Sequence, residues 1–359
     1  MKARAAHHYI DRASGRVHAE RPYQDGVVQF LYGPVREHMP ALFRQLISRR
    51  STRLLGYLNY DSRWGAPAVR RFMRAHAIDA TECLDDAAGF RTPRQLFERR
   101  IRYWETRPLP SEEHAVSAPC DARMLCGDCD DGTTLDIKQK LFHCDELLGR
   151  STPWPNHFIN GHYALFRLTP DKYHYNHLPV SGVVRGIYEV EGTFHSCNPG
   201  AAIRVAQPYS KNHRVVTILD TDVPGGSGCG LVAMVEVVAL MIGEIVQCYS
   251  DTRYLRPRAI RAGMFVKRGQ PKSLFRPGSS TTVLLFQAGR VRFADDLVRN
   301  QSRADVASRY SIASAPPAVE TDVRVRSLIA VACPIGLPAN SSPSRRHIQD
   351  HAQGVMPCF

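Results

Sequence analysis

Between Arg214 and Phe286 the chain sets down four short runs of β-branched and apolar residues, and these constrain the fold most. They are Arg214-Val-Val-Thr-Ile-Leu219, Leu231 to Ile242, Gly263-Met-Phe-Val-Lys267 and Thr281-Thr-Val-Leu-Leu-Phe286. Gly, Pro, Asn and Asp fill the intervals, which is the composition of strands joined by turns. The longest run is rich in valine and interrupted by Glu236, so it reads as buried strand. No apolar run approaches the roughly 18 residues that span a bilayer. Val323, Val325 and Leu328 predict one last strand.

The first third has a different periodicity. Met39, Leu42, Phe43, Leu46 and Ile47 follow helical spacing, with Pro40 in the first turn and Arg44, Arg49 and Arg50 off the apolar stripe. Val69, Phe72 and Met73 repeat the stripe among Arg70, Arg71 and Arg74. Thr92-Pro93-Arg94-Gln95 is a capping box with proline at the first helical position, predicting a helix through Leu96, Phe97, Ile101 and Trp104. Pro108, Pro110 and Glu112-Glu113 mark a boundary. The expectation is an α+β fold: a basic helical region over 1–110, then a mainly antiparallel, β-sandwich-like catalytic domain over 111–330. From Pro334 onward Pro, Ser, Asn and Arg occur without periodicity, so 331–359 is expected to be a disordered tail.

Charge narrows the partners. The chain carries a net +13, and residues 1–110 hold 20 Arg/Lys against 11 Asp/Glu. Such a surface attracts nucleic acid, anionic lipid or acidic protein alike. The cations fall on helical patterns rather than in RGG, RNP or zinc-finger arrangements, which favours a membrane surface and argues against nucleic acid. Each amphipathic helix taken singly is expected to pack on the protein's own core. The arginine excess leads to the expectation that at least one of them contacts lipid. The N-terminus has no apolar segment of a secretory signal, so a cytoplasmic address is expected. Cys120, Cys126, Cys129 and Cys144, with His143, invite a zinc reading. The single Cys126-Gly-Asp-Cys129 pair lacks a second CxxC partner, so scattered thiols and no metal are expected.

Four segments bear on chemistry. In Tyr173-His-Tyr-Asn-His-Leu-Pro-Val-Ser-Gly182, His174 and His177 could be metal ligands, acid/base partners or surface residues. Arg276-Pro-Gly-Ser-Ser280 is by residue type an ordinary turn leading into a strand. Glycine's freedom there also lets the Ser279 hydroxyl approach the Gly278 carbonyl. In Val116-Ser-Ala-Pro-Cys-Asp-Ala122, Asp121 is either a turn residue or the acid that orients a histidine. The Asn212 to Thr221 stretch is followed by Pro224-Gly-Gly-Ser-Gly-Cys-Gly230, which lacks both a P-loop ending and a dinucleotide fingerprint and reads as a loop between strands.

Together, from about Leu31 to Leu328, these segments resemble the phosphatidylserine decarboxylase family. Tyr173, His174, His177, Pro179 and Gly182 match its Tyr-His-x-x-His-x-Pro-x-x-Gly element. Asn212, Arg214, Val215, Asp220 and Thr221 match a second; Gly278, Ser279 and Ser280 match the cleavage motif; Val116, Ser117, Pro119 and Asp121 match a fourth more loosely. Two departures stand out: Pro277 replaces the usual leucine before Gly278, and Ala122 replaces the glycine after the aspartate, with Ala118 as an extra residue.

The resemblance implies a proenzyme that cuts itself between Gly278 and Ser279, leaving Ser279 as a pyruvoyl group, its only cofactor. His177 is then the base for the Ser279 proton, Asp121 holds its imidazole, and His174 assists decarboxylation or product protonation. The implied reaction converts phosphatidylserine to phosphatidylethanolamine through a Schiff base, the pyruvoyl acting as electron sink. The implied partners are phosphatidylserine, an anionic membrane surface bound peripherally on its cytoplasmic side, and the chain's own two cleavage fragments; a homo-oligomer is compatible with all of this. Two alternatives stay open: a pyruvoyl-dependent decarboxylase of a soluble amino acid, and a non-catalytic lipid-binding relative.

Overall fold

The computed structural model describes residues 6–20, 25–61, 65–129, 143–202, 208–240, 244–277, 280–312 and 317–333. Gly278, Ser279 and the expected tail after Cys333 lie outside these residues. The strands are β1 (His8–Asp11), β2 (Val17–Ala19), β3 (Ala115–Ser117), β4 (Ala122–Asp128), β5 (His162–Leu168), β6 (Tyr175–His177), β7 (Gly182–Val190) and β8 (Arg214–Asp220). They continue with β9 (Leu231–Val238), β10 (Ile245–Gln247), β11 (Phe265–Val266), β12 (Pro271–Phe275), β13 (Ser280–Phe286), β14 (Val291–Phe293), β15 (Glu320–Val323) and β16 (Leu328–Ala332).

Ten of these form one sheet in the order β11-β7-β8-β9-β13-β5-β4-β15-β1-β2, and two three-stranded sheets, β10-β12-β6 and β14-β16-β3, complete the fold. All neighbours in the large sheet run antiparallel except β1 and β15. With its helices, this is an α+β fold. Both faces of the central strands are covered. Leu284 and Phe286 of β13 join one apolar cluster with Met234 and Phe166, while Val283 and Leu285 join a second with Val235 and Leu165. Burial on both faces is why these strands read in sequence as continuous apolar runs rather than alternating ones.

Helices lie between Asp25 and Thr106, after the β1–β2 hairpin that joins the large sheet. The Thr92 capping box forms as expected: its side chain accepts from Gln95 N–H, and the Gln95 side chain accepts in return from Thr92 N–H. That helix stops at Phe97, however, and does not run on through Ile101 and Trp104. Ile101 instead bridges to Cys83 and is buried among Tyr103, Tyr173 and Val325, so tertiary packing overrides the helical period there. The expected last strand is likewise two strands, β15 and β16, parted by a turn at 324–327 in which Arg326 has φ 71°.

The amphipathic helices mostly behave as core elements. Val69 and Met73 of the helix Ala66–Ala75 pack with Cys83, Phe90 and Leu96, leaving Arg70, Arg71 and Arg74 exposed. Phe43 and Ile47 pack with Tyr32, while Met39 and Leu42 remain exposed. No helix among the described residues is long and apolar enough to cross a membrane.

Candidate active site

The small sheet β10-β12-β6 places the histidines. Tyr175 pairs with Leu274, Asn176 with Ser273 and His177 with Pro271. The ladder extends by one residue, because Phe275 N–H donates to the His174 carbonyl at 3.0 Å. The strand that leads into Arg276–Ser279 therefore runs beside both histidines. Residues three apart in an extended chain point to opposite sides, and the two rings meet different neighbours.

His174 is fully buried and stacks on Phe97, ring centroids 3.5 Å apart. Its Nδ1 is 2.8 Å from the Lys172 carbonyl, and its Nε2 has no hydrogen-bond partner among the described residues. Burial, then the charge of Arg99, push its pKa down to about 3. Phe97 also lines a small apolar pocket of about 20 Å³ with Tyr60, Val69, Phe72, Pro93, Leu96 and Pro170.

His177 is also fully buried, with Tyr103 edge-on at 4.7 Å. Its Nδ1 lies 2.9 Å from Gly269 O and its Nε2 3.0 Å from Tyr173 Oη. Burial dominates here too and pushes its pKa down to about 3, against the opposing bond to Gly269. Both imidazoles are thus neutral at physiological pH.

Asp121 belongs to the same neighbourhood, since His177 N–H donates to Pro119 O at 2.6 Å and Ser117 N–H donates to Pro179 O at 2.9 Å. Its carboxylate accepts from Arg107 Nε (3.2 Å), Arg107 Nη2 (3.0 Å) and Val325 N–H (2.7 Å). Burial alone would raise its pKa, but the Arg107 charge and these bonds hold it below the usual range. Its negative charge favours protonation of both imidazoles, less strongly than burial opposes it. The hydrogen bond that selects the His177 tautomer comes from Gly269.

The fourth segment is structural in this fold. Asn212 Nδ2 donates to Val238 O and His195 O, and Thr221 closes the β8–β9 turn through Gly230 O. Gly226 in that turn has no room for a side chain, since a Cβ would sit 2.2 Å from Thr221 O. Of the five residues in the zinc reading, Cys129 and Cys144 approach each other, Sγ to Sγ 3.6 Å. Cys120 and Cys126 lie together in the other apolar cluster.

One buried network was not legible in the sequence. Glu236, the residue that interrupts the β9 run, is fully buried and accepts from Lys272 Nζ (2.5 Å), Asn176 Nδ2 (3.0 Å), Gln247 Nε2 (3.4 Å) and Ser273 Oγ. Thr282 Oγ1 donates to Asn176 Oδ1 at 2.9 Å. This network ties β6, β12, β9 and β13 together on both sides of the Gly278–Ser279 bond. A glutamate inside an apolar run was the available signal. Its partner, one of many lysines and arginines, carried none.

A decarboxylase is the class that these residues define once set beside known proteins. The chain belongs to the phosphatidylserine decarboxylase family, whose model matches residues 94–311, a span that includes Asp121, His174, His177, Gly278 and Ser279. It is similar to the phosphatidylserine decarboxylase proenzyme of Bordetella petrii, 32% identical over 260 residues that cover 68% of this chain and 86% of the relative. The proenzyme of Chlamydia trachomatis is 27% identical over 297 residues, 81% of this chain and 90% of that one. Proenzyme 3 of Schizosaccharomyces pombe is 27% identical over 295 residues, which span 81% of this chain but 29% of the much longer relative.

Proposed function

We propose that this chain is a proenzyme that cuts itself between Gly278 and Ser279 and decarboxylates phosphatidylserine to phosphatidylethanolamine with a pyruvoyl group made from Ser279. The observation that carries the reading is the unpaired, fully buried Nε2 of His174, on the segment paired with the strand that enters the Gly278–Ser279 bond. A buried polar atom without a partner is costly and calls for a functional account.

Residues around the bond fit such a group. Ser280 Oγ, at the head of β13, is buried and has no hydrogen-bond partner among the described residues. It is a polar atom on the residue that directly follows the one that would carry the keto group. A pyruvoyl group supplies a ketone that takes up the substrate amine and a sink for the electron pair released with carbon dioxide. The protein's own residues supply the remainder. His177, kept neutral by burial, accepts the Ser279 hydroxyl proton during processing. Asp121 favours the resulting imidazolium, and Arg107 holds Asp121 ionised. His174 Nε2 is free to hold or deliver a proton, and general acid–base help of this kind is worth ~10²–10⁴-fold.

Lipid as substrate is supported by the match to the phosphatidylserine decarboxylase family. Exposed apolar side chains among arginines support peripheral contact with an anionic membrane: Phe30 (63% exposed), Leu54 (60%) and Leu255 (64%), the last flanked by exposed Arg253 and Arg256. Denaturing electrophoresis with mass spectrometry tests the reading. Two pieces, 1–278 and 279–359, are expected, the shorter with a blocked pyruvoyl N-terminus, and Ser279→Ala should abolish both cleavage and activity. A fully active single chain rejects it. Loss of anionic-vesicle flotation with activity on free amino acids would move the substrate to the soluble class.

A further inference from the structure

Beyond the proposed processing site, the far end of β7 carries a second cluster of ligating side chains. β7 pairs antiparallel with β8 so that Glu189 faces Val215 and Val190 faces Arg214, which sets Glu191 opposite His213. Residues two apart along a strand share a face, as do residues directly opposite, so both glutamates and the histidine project to one side. His213 is only 7% exposed, and its Nδ1 is buried with no hydrogen-bond partner among the described residues. Nδ1 lies 3.5 Å from Glu191 Oε2 and Nε2 lies 3.7 Å from Glu189 Oε2, both too long for good hydrogen bonds. A ring nitrogen and one oxygen of each carboxylate all lie within 4.8 Å of one another. Ligands held about 2.0–2.2 Å from one ion are about 3–4 Å apart, so small side-chain shifts close these three on a cation. Both glutamates are exposed, and the competing pair from Arg49 Nη1 to Glu191 Oε1 is 3.9 Å long and of little worth.

We propose that Glu189, Glu191 and His213 form a binding site for a first-row divalent metal ion, with solvent in its remaining positions. One imidazole nitrogen with two carboxylate oxygens suits manganese(II), iron(II) or zinc(II) better than calcium or magnesium, which take oxygen ligands. Ligation through Nδ1 gives that buried atom the partner it lacks, and the ion's charge offsets the repulsion between the two carboxylates. The set shares no residue with the cysteines of the zinc reading. Its surroundings give the ion a structural task. His213 N–H donates to Thr193 O at 3.0 Å, and Val238 N–H donates to His213 O at 3.1 Å. Val238 in turn pairs with Ser280 at the head of β13. On the other side the Phe194 ring stacks on His213, and Phe194 N–H donates to Ile47 O in the helical region. An ion here clamps the β7–β8 end of the sheet to both neighbours and takes no part in decarboxylation.

The test uses the full chain, purified without a histidine tag and stripped with a chelator. Manganese(II) is the probe, because the ten cysteines are poor ligands for it. Electron paramagnetic resonance should show one equivalent of manganese leaving the free-ion signal. Pulsed spectra of the bound ion should carry nitrogen modulation from a coordinated imidazole. His213→Ala should abolish that modulation and weaken binding by at least the ~10–100-fold that loss of an outer-shell partner costs. Should His213→Ala fail to fold, the double variant Glu189→Gln with Glu191→Gln, both at exposed positions, should weaken binding at least as much. No saturable binding below about 1 mM in wild type overturns the site and leaves only a histidine between two glutamates. Bound manganese without nitrogen modulation overturns it too, as does wild-type affinity in either variant. None of these readouts passes through cleavage or activity, so the site stands or falls separately from the proposed function.

Discussion

Lys272→Met is the most informative single substitution in this fold. Lys272 and Glu236 are both fully buried and 2.5 Å apart, and Glu236 sits at the centre of β9 opposite Thr282 of β13. Methionine fills the lysine volume but leaves Glu236 ionised in a dry interior with only neutral donors. Breaking a buried pair from one side costs about 3–5 kcal/mol. At roughly 2.1 cal/mol/K per residue, a chain of this length loses about 0.7 kcal/mol per degree near its midpoint, so Tm should fall by roughly 4–7 °C. The double variant Lys272→Met with Glu236→Gln removes both charges and keeps an amide for the Asn176, Ser273 and Gln247 bonds, and should regain most of the loss. Scanning calorimetry on the full chain reads both. An unchanged Tm in the single variant, or a double variant as unstable as the sum of the two single ones, would refute the claim that the pair acts as a coupled unit. Because Lys272 and Ser273 are on the strand entering the processing segment, the single variant should also cut itself more slowly.

Other outcomes can be checked alongside. Phe97→Ala removes the stack on His174 and a buried core side chain, and should cost about 3–5 kcal/mol of stability, read by denaturant titration. Stability should fall as pH drops from about 6.5 toward 3, because the unfolded chain then binds protons that the buried, neutral His174 and His177 refuse; denaturant titrations should show a slope of roughly 1.4 kcal/mol per pH unit for each ring, halved by His174→Gln. Asp121→Asn leaves Arg107 without its buried carboxylate and should cost about 3–5 kcal/mol by chemical denaturation, Glu82 retaining the other side of the guanidinium. After processing, the two pieces should co-elute in gel filtration and part only in denaturant.

How much of this was legible in the residues follows from the range of the interactions. The Thr92 capping box and the β8, β9 and β13 runs are local patterns, and they form close to where the sequence puts them. The histidine pair was legible as a motif, but its surroundings were not. Phe97, Gly269 and Arg107 reach its surroundings from three separate stretches, and nothing in their own neighbourhoods marks them as its partners. Ile101 shows the limit most clearly: the helical spacing includes it, but an apolar site beside Tyr103 and Tyr173 holds it more strongly than another helical turn. For Asp121 the motif gave a location, whereas its partner, Arg107, depends on how the strands cross.

The strand order carries a consequence for timing. β13 fills the gap between β9 and β5, and β15 fills the gap between β4 and β1, so two strands made after all their neighbours supply interior positions of the sheet. Until residues 280–286 and 320–323 have left the ribosome, β5 and β9 have no common neighbour and the N-terminal hairpin has nothing to join. The sheet is therefore completed only once residues 320–323 are available, through contacts of long sequence separation that form slowly. A bond whose cleavage depended on that finished sheet would stay intact on every chain that stopped short of residue 323, and maturation would serve as a record that synthesis had passed β15.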